Sequence, residues 1–329
     1  MIAERILIVA QKEFTDHLTS RKFLVILALL LMLALLGMHQ GIGQYNRDLE
    51  SYNQQLQAAG DAAGPAGTMP ERPSILFIFW QLESSLMVFG GVLAIATGAD
   101  LVSKEKESRS LKTLLARPVY RDEIINGKAL GGMAALGVAL AVAFTLTFAV
   151  LLVFSIVPTA AEVVAVLIFG LASFLFLLAF FALALALSVV VKESGHAVVY
   201  GLALFFAFGY LLQMFGMILA GVAAGDIPQR PEMPNGDDEA VWKAYEKESG
   251  QYIEEMEVYR SKQQFVTDTV YLFSPMMAYN TVASTIAYPS DLPPEDAASR
   301  IWQNFAALLV FPSVFFAVAY TRFMRMDLR

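Results

Sequence analysis

The chain has 329 residues, of which 57% are hydrophobic and 16% are charged, and its formal net charge is −7 at pH 7. Soluble domains are about 45–50% apolar and about a quarter charged, so this composition excludes an ordinary soluble domain and indicates a membrane protein with several spans. The chain contains no Cys, which excludes disulfides and thiolate metal sites. Its histidines, His17, His39 and His196, are too scattered to predict a metal site.

Residues 1–22 predict an amphipathic helix. Ile6, Ala10, Phe14 and Leu18 recur at helical spacing on one face, and most polar side chains face away from it. Such a helix can lie parallel to the membrane in the interface. The alternative is a cytosolic helix that packs against its own bundle.

Six apolar runs are long enough to cross a bilayer, which takes about 20 residues. They cover residues 23–40, 76–99, 129–157, 160–191, 197–222 and 301–320. With six spans, both termini lie on the same side, and about two thirds of the 23 Lys and Arg residues fall on that side. Since basic residues concentrate in cytoplasmic loops, we expect an all-α, multi-pass protein of the cell membrane with both termini in the cytoplasm.

The second run carries a carboxylate, Glu83, about a third of the way along. Carboxylates inside a membrane are costly, and they usually face a cavity or a partner. Glu83 is therefore a candidate for the lining of a substrate pathway. The alternative is a residue at the level of the outer headgroups, hydrogen-bonded to Gln81 or Ser84.

A charged segment at 100–128 lies between the second and third runs and is rich in Lys and Arg. Leu111, Leu114 and Leu115 follow the i, i+3, i+4 spacing of one helical face. Pro118 ends that helix, because proline lacks an N–H and clashes with the preceding turn. An amphipathic helix held between two spans on the cytoplasmic side is well suited to bind a soluble partner.

The outer side has two polar segments. The first, 41–75, begins as a polar helical stretch and continues into a flexible Gly- and Ala-rich stretch. The second, 223–300, predicts a helical insertion: a helix from Asp238 to about Thr267, then an apolar hairpin at 269–288 that is broken by Pro275 and dips into the outer leaflet. The domains expected are 1–22, 23–222, 223–300 and 301–329.

No motif in the chain predicts enzymatic chemistry. The nearest fragment to a phosphate-binding loop, Gly127-Lys128, is followed by Ala129 and has Asp122 where the first glycine belongs. Neither G-x-S-x-G nor H-E-x-x-H occurs. We expect no ATP hydrolysis, cofactor or nucleic-acid partner in this chain.

The charged segment resembles the cytosolic loop of ABC-2-type transporter permeases, which has the pattern E-R-E-x-G-T-L-x-x-L-L-x-x-P-[VI]-S-R followed by G-K. The matching residues are Glu105, Glu107, Leu111, Leu114, Leu115, Pro118, Val119, Arg121, Gly127 and Lys128. The chain departs from the pattern at Arg109, Ser110 and Tyr120. Within the family it is most similar to the branch that serves maturation of multi-copper enzymes, including nitrous-oxide reductase.

This resemblance implies an exporter-type fold (ABC-2, type V) in which two six-span permeases pair, with a homodimer favoured. A separate ATPase subunit would bind ATP and Mg²⁺, and the N-terminal helix would be an elbow at the inner leaflet. Helix 104–116 would be the coupling helix in a cleft of that ATPase, and the pathway would be lined by spans 1, 2 and 5. The coupling residues implied are Glu105, Glu107, Arg109, Leu111, Leu114, Leu115, Arg117 and Pro118.

Two other functions stay open. A membrane scaffold or assembly factor could use the 223–300 insertion to recruit an extracytoplasmic protein. An ion-coupled carrier could use Glu83 as its ion site, although the internal repeats typical of such carriers are absent from the sequence.

Overall fold

The computed structural model describes residues 2–61, 73–108, 120–234, 238–288 and 294–326, and every regular element in these residues is a helix. In chain order the helices are α1 (Ile2–Leu18), α2 (Arg21–Asp61), α3 (Leu76–Glu107), α4 (Arg121–Val153), α5 (Ala160–Val190), α6 (Ser194–Ala224), α7 (Glu239–Tyr271), α8 (Pro275–Ala287) and α9 (Pro294–Met324). Two of them contain a short π-helical stretch, at Leu86–Gly90 in α3 and at Ala207–Leu211 in α6.

Among the described residues, six helices are long and apolar enough to span a membrane, namely α2, α3, α4, α5, α6 and α9. The predicted all-α fold with six spans is confirmed. Helix α2 runs on to Asp61, in line with the polar helical stretch predicted at the start of 41–75. Helix α3 continues without a break to Glu107, whereas a separate helix was predicted from residue 104.

The longer α3 changes the predicted coupling helix. Residues 104–107 belong to the helix of span 2 and do not begin a separate helix. Hydropathy marks where apolar composition stops, whereas a helix continues as long as backbone hydrogen bonds and helix-forming residues allow. Lys and Glu are good helix formers, and residues 104–107 read Lys-Glu-Lys-Glu.

The helices form two compact units, one of Met1–Phe205 with Ala278–Arg329 and one of Phe206–Met277. In the second unit, α7 packs against the end of α6, and Asp238 caps α7 by accepting a hydrogen bond from the Ala240 N–H at 3.0 Å. The predicted hairpin is the end of α7, a turn and α8. Ser274 shapes that turn by donating to the carbonyl of Phe208 at 2.7 Å.

In the first unit, α3 and α5 pack closely. A Cβ at Gly98 would overlap the carbonyl of Phe181, so only glycine allows this approach. The Ser188 hydroxyl of α5 accepts hydrogen bonds from two backbone N–H groups of α3, those of Val102 at 3.0 Å and Ser103 at 2.9 Å. These contacts fix the end of α3 against the end of α5.

Helix α1 packs against the start of α4 through a Gly-x-x-x-Gly spacing. A Cβ on Gly127 would lie 2.6 Å from the Val9 Cβ, and one on Gly131 would lie 2.6 Å from the Ala10 carbonyl oxygen. Small residues at this spacing let two helix backbones approach closely. The helix therefore packs on its own bundle, the alternative considered from sequence, while Leu7 on its other face stays 63% exposed.

Candidate functional site

The helix ends around α1 are linked to one another by charged side chains. Lys106, near the end of α3, donates to the carbonyls of Ser188 at 3.3 Å, Val191 at 3.1 Å and also Val189, at the end of α5. A cation is favourable there because the last carbonyls of a helix carry partial negative charge. Lys106 thus caps the C-terminal end of α5 and holds α3 beside it.

Charged side chains also bind one end of α9 and one end of α6. Arg121, at the start of α4, donates to the carbonyls of Met324 at 3.2 Å and Met326 at 2.8 Å, at the end of α9. Glu107 accepts from both the backbone N–H of Ser194 at 3.3 Å and its hydroxyl at 3.2 Å, at the start of α6. Charged residues on both sides of 109–119 therefore bind the ends of three other spans.

Lys128 lies at the centre of this region, and its side chain is only 2% exposed. Its ammonium is 2.8 Å from Glu13 of α1 and 2.7 Å from Glu105 of α3. A buried charge is tolerated only when it is paired and hydrogen-bonded. The Glu13–Lys128–Glu105 bridge thus links α1, α3 and α4.

The bridge also sets the protonation state of the Glu13 carboxyl on α1. Burial raises the pKa of Glu13, but the charge and the hydrogen bond of Lys128 outweigh burial, so the pKa lies below its ordinary value. Glu13 is therefore ionised and complements the Lys128 ammonium.

A cavity of about 260 Å³ opens beside the bridge, between α1 and the neighbouring ends of α2 and α3. Its wall includes His17, whose Nε2 is buried without a hydrogen-bond partner, and burial lowers the pKa of this imidazole. Asp100 also lines it; one carboxylate oxygen binds Lys22 at 3.1 Å and the other is buried without a hydrogen bond. Within the described parts of the chain, no three His, Asp or Glu side chains are grouped closely enough to hold a metal ion.

The predicted coupling residues divide into two groups. Glu105 and Glu107 are described, and both make contacts within the bundle. The others lie outside the described residues: Arg109, Leu111, Leu114, Leu115, Arg117 and Pro118. Glu83, predicted separately as a pathway residue, is fully buried within α3.

Two residues of the bridge, Glu13 and Lys128, were not predicted as site residues. Glu13 carried a usable signal, since it follows Ile6 by seven residues and Ala10 by three and so lies on the apolar face of α1. A carboxylate on an apolar face needs a buried partner. Lys128 belongs to the G-K match with the family pattern, but it is one of seven basic residues from 104 to 128, so the sequence did not predict that it is buried and paired.

The comparisons with known proteins agree with this architecture. No curated protein matches the chain. The family described as ABC-2 family transporter protein matches residues 7–328, nearly the whole chain, and thus includes α1, the bridge and all six spans. The chain therefore belongs to the ABC-2 transporter family: it is a multi-pass membrane permease of an ABC transporter, a transport component that is not itself catalytic and that works with an ABC ATPase.

Proposed function

We propose that this permease forms the pathway of an ATP-driven exporter as a homodimer in the cytoplasmic membrane, with both termini in the cytoplasm. The segment that ends α3 and leads into α4 binds the ATPase subunit, which holds ATP and Mg²⁺. The branch that serves multi-copper enzyme maturation stays a prediction.

The Glu13–Lys128–Glu105 bridge is the observation that carries the coupling proposal. Residues 109–119 connect α3 and α4, and an ion pair joins the two helices, with the Lys128 Nζ 2.7 Å from the Glu105 Oε1. A force on this connection therefore acts on α3 and α4 together, and through Glu13 on α1. Lys106, Arg121 and Glu107 carry the same displacement to α5, α9 and α6.

An apolar groove supports the predicted pathway along spans 1, 2 and 5. It has a volume of about 550 Å³, and its wall includes Val25 of α2, Ile95 of α3 and Leu202 of α6. Lys22 and Asp100 lie at its charged end, on the side of α1. If the α1 end faces the cytoplasm, the groove receives substrate from that side, which favours export of an apolar molecule.

The second unit has a surface suited to bind a further protein outside the cell. Helix α7 is rich in Glu, yet it exposes Ile253 by 57%, Val258 by 55% and Phe265 by 74%. Apolar side chains this exposed on an otherwise polar helix are suited to a protein partner. A scaffold function would rest on this surface, whereas transport does not need it.

Capture of the ATPase by the solubilised permease tests the proposal. Leu114→Ala with Leu115→Ala should remove apolar anchors worth about 1.5–3 kcal/mol each when buried in an interface. We expect at least a tenfold loss of captured ATPase per folded permease. Leu167→Ala with Leu171→Ala, on the exposed face of α5, is the matched control and should capture as much as wild type.

A variant that inserts poorly but captures ATPase normally would show that the leucines pack on the permease itself, against the proposal. Glu105 is a poor choice for this test. Its replacement would leave Lys128 without one of its two carboxylates, so a loss of capture would not separate docking from folding.

A further inference from the structure

Glu83 is a carboxylate that is fully buried inside a span. It lies in the span helix α3, three residues before the π-helical stretch Leu86–Gly90, and it is 0% exposed. No cation pairs with it among the described residues, and the polar side chains that reach its carboxyl are those of Asn280 and Ser84. Ser84, one of the two hydrogen-bond partners considered from sequence, does lie beside the carboxyl.

The groups around Glu83 are polar but uncharged. Asn280 of α8 and the neighbouring Ser84 direct their side chains toward the carboxyl. Tyr279 of α8, which is fully buried, faces it as well, and the Tyr279 hydroxyl lies 2.9 Å from the hydroxyl of Ser173 on α5. Among the described residues, the phenol of Tyr279 is the one titratable group facing Glu83, and no Lys, Arg or His does so.

These surroundings decide the charge of the carboxyl. An ionised carboxylate buried without a cation beside it costs many kcal/mol, which two neutral donors offset only in part, and inside a membrane no bulk water is available to reduce that cost. A neutral carboxylic acid costs much less, because it carries no net charge and needs one acceptor for its O–H. The side-chain oxygens of Asn280 and Ser84 can accept it after small side-chain rotations.

We propose that Glu83 is a proton-binding site of the permease: in this conformation its carboxyl is the neutral acid, covered by α8, and it releases the proton only when α8 separates from α3. The proton leaves as the carboxyl ionises and water reaches it, so charge is conserved without any further reactant. The site needs no ATPase, and it gives the permease a step that depends on protonation.

The site also has a structural means of opening. A π-helical stretch disturbs the regular backbone hydrogen bonds of a helix, and such stretches are frequent at functional sites. At the start of the stretch the N–H of Leu86 is shared between the carbonyls of Leu82 and Glu83. Local rearrangement of α3 at this point would turn Glu83 relative to α8.

Infrared spectroscopy of the permease alone in nanodiscs tests this inference. At neutral pH, the wild-type spectrum minus that of Glu83→Gln should contain the carbonyl band of a protonated carboxylic acid. Glu50→Gln, at an exposed position on α2, is the control and should leave the acid band unchanged. Glu83→Asp should shift the band without removing it, which keeps the test valid if the glutamine variant does not fold.

Two results would overturn the proposal. The first is the absence of an acid band that depends on residue 83. The second is a band that appears only after Na⁺ and K⁺ are replaced by choline, which would assign the site to a metal cation in place of the proton. Neither result bears on ATPase capture, so this inference and the proposed function fail separately.

Discussion

Lys128 connects three helices through a single buried ammonium. Replacing a bridge of this kind by apolar groups can be nearly neutral, whereas removing one charge and leaving its partners buried is strongly destabilising. Glu13 is 9% exposed and Glu105 is 18% exposed, so water cannot fully replace the lysine. The bridge therefore makes α1, α3 and α4 depend on one another.

We expect Lys128→Met to lower the free energy of unfolding by about 3–5 kcal/mol, because it removes the buried ammonium that neutralises two largely buried carboxylates. Thermal unfolding of the permease in nanodiscs measures the effect. Lys22→Met is the matched control, since Lys22 is 71% exposed in its pair with Asp100 and exposed pairs contribute about 0–1 kcal/mol. Adding Glu13→Gln and Glu105→Gln to Lys128→Met should recover most of the loss; no recovery would argue against the bridge as its cause.

His17 gives the same region a dependence on pH. Its pKa lies below the ordinary value of 6.5 because the imidazole is buried, so the folded protein keeps it neutral while the unfolded chain binds a proton. Stability is therefore full above about pH 6.5 and falls as the pH drops below it. Glu13 also contributes stability that is lost in acid, but this loss of stability comes at lower pH, because the pKa of Glu13 is depressed below 4.5.

Melting temperatures of wild type and His17→Gln, followed from neutral to mildly acidic pH, check this expectation. The variant should lose less stability than wild type below about pH 6.5. His39→Gln, at an exposed position on α2, should keep the wild-type profile. Identical profiles for wild type and His17→Gln would exclude His17 as the source.

At the scale of elements, the contact between α1 and α4 has almost no spare space. Gly131→Ala would place a Cβ 2.6 Å from the Ala10 carbonyl oxygen and 2.7 Å from the Glu13 Cβ. Overpacking of this kind costs about 1–3 kcal/mol. Gly137→Ala, in the same helix, meets only Phe174 at 3.7 Å and should be neutral or stabilising, since alanine favours helices by about 1 kcal/mol over glycine.

Thermal unfolding and protease cleavage within α1 measure this difference. We expect Gly131→Ala to melt earlier and to be cleaved faster in α1, and Gly137→Ala to do neither. Equal behaviour of the two variants would mean that α1 does not depend on close packing against α4.

The spans were predictable from sequence, and the helix ends were not. Apolar runs located all six spans because membrane burial acts on every residue of a run. The continuation of α3 through residues 104–107 was missed because charged helix formers do not register as a span. The start of α7 at Asp238 was predicted, since the signal for a helix start is local.

The candidate site was predictable only in part, for the same reason. The charged segment identified the region, and Glu105 and Glu107 were named as its residues. Sequence spacing shows which face of a helix a side chain occupies but not which distant residue it meets, and Glu13 and Lys128 are 115 positions apart. Glu105 and Glu107, expected from sequence to couple to a partner, thus also contact other helices of the bundle.

At the scale of the whole molecule, the spans differ in how much of their apolar surface the chain itself covers. In the most apolar part of each span, 61% of the residues of α3 are buried, compared with 22% for α2, 17% for α6 and 11% for α9. Spans 1, 5 and 6 thus present most of their surface to lipid or to a second permease. Spans 1 and 5 also line the apolar groove, which favours pairing along that side.

We propose that this permease acts as a dimer driven by a separate ATPase. Native mass spectrometry of the active complex, extracted from membranes together with the ABC ATPase, tests this proposal. We expect two permease chains and two ATPase chains in the species that hydrolyses ATP, with ATPase lost from the Leu114→Ala, Leu115→Ala variant. A stable, active complex of one permease with one ATPase would contradict it.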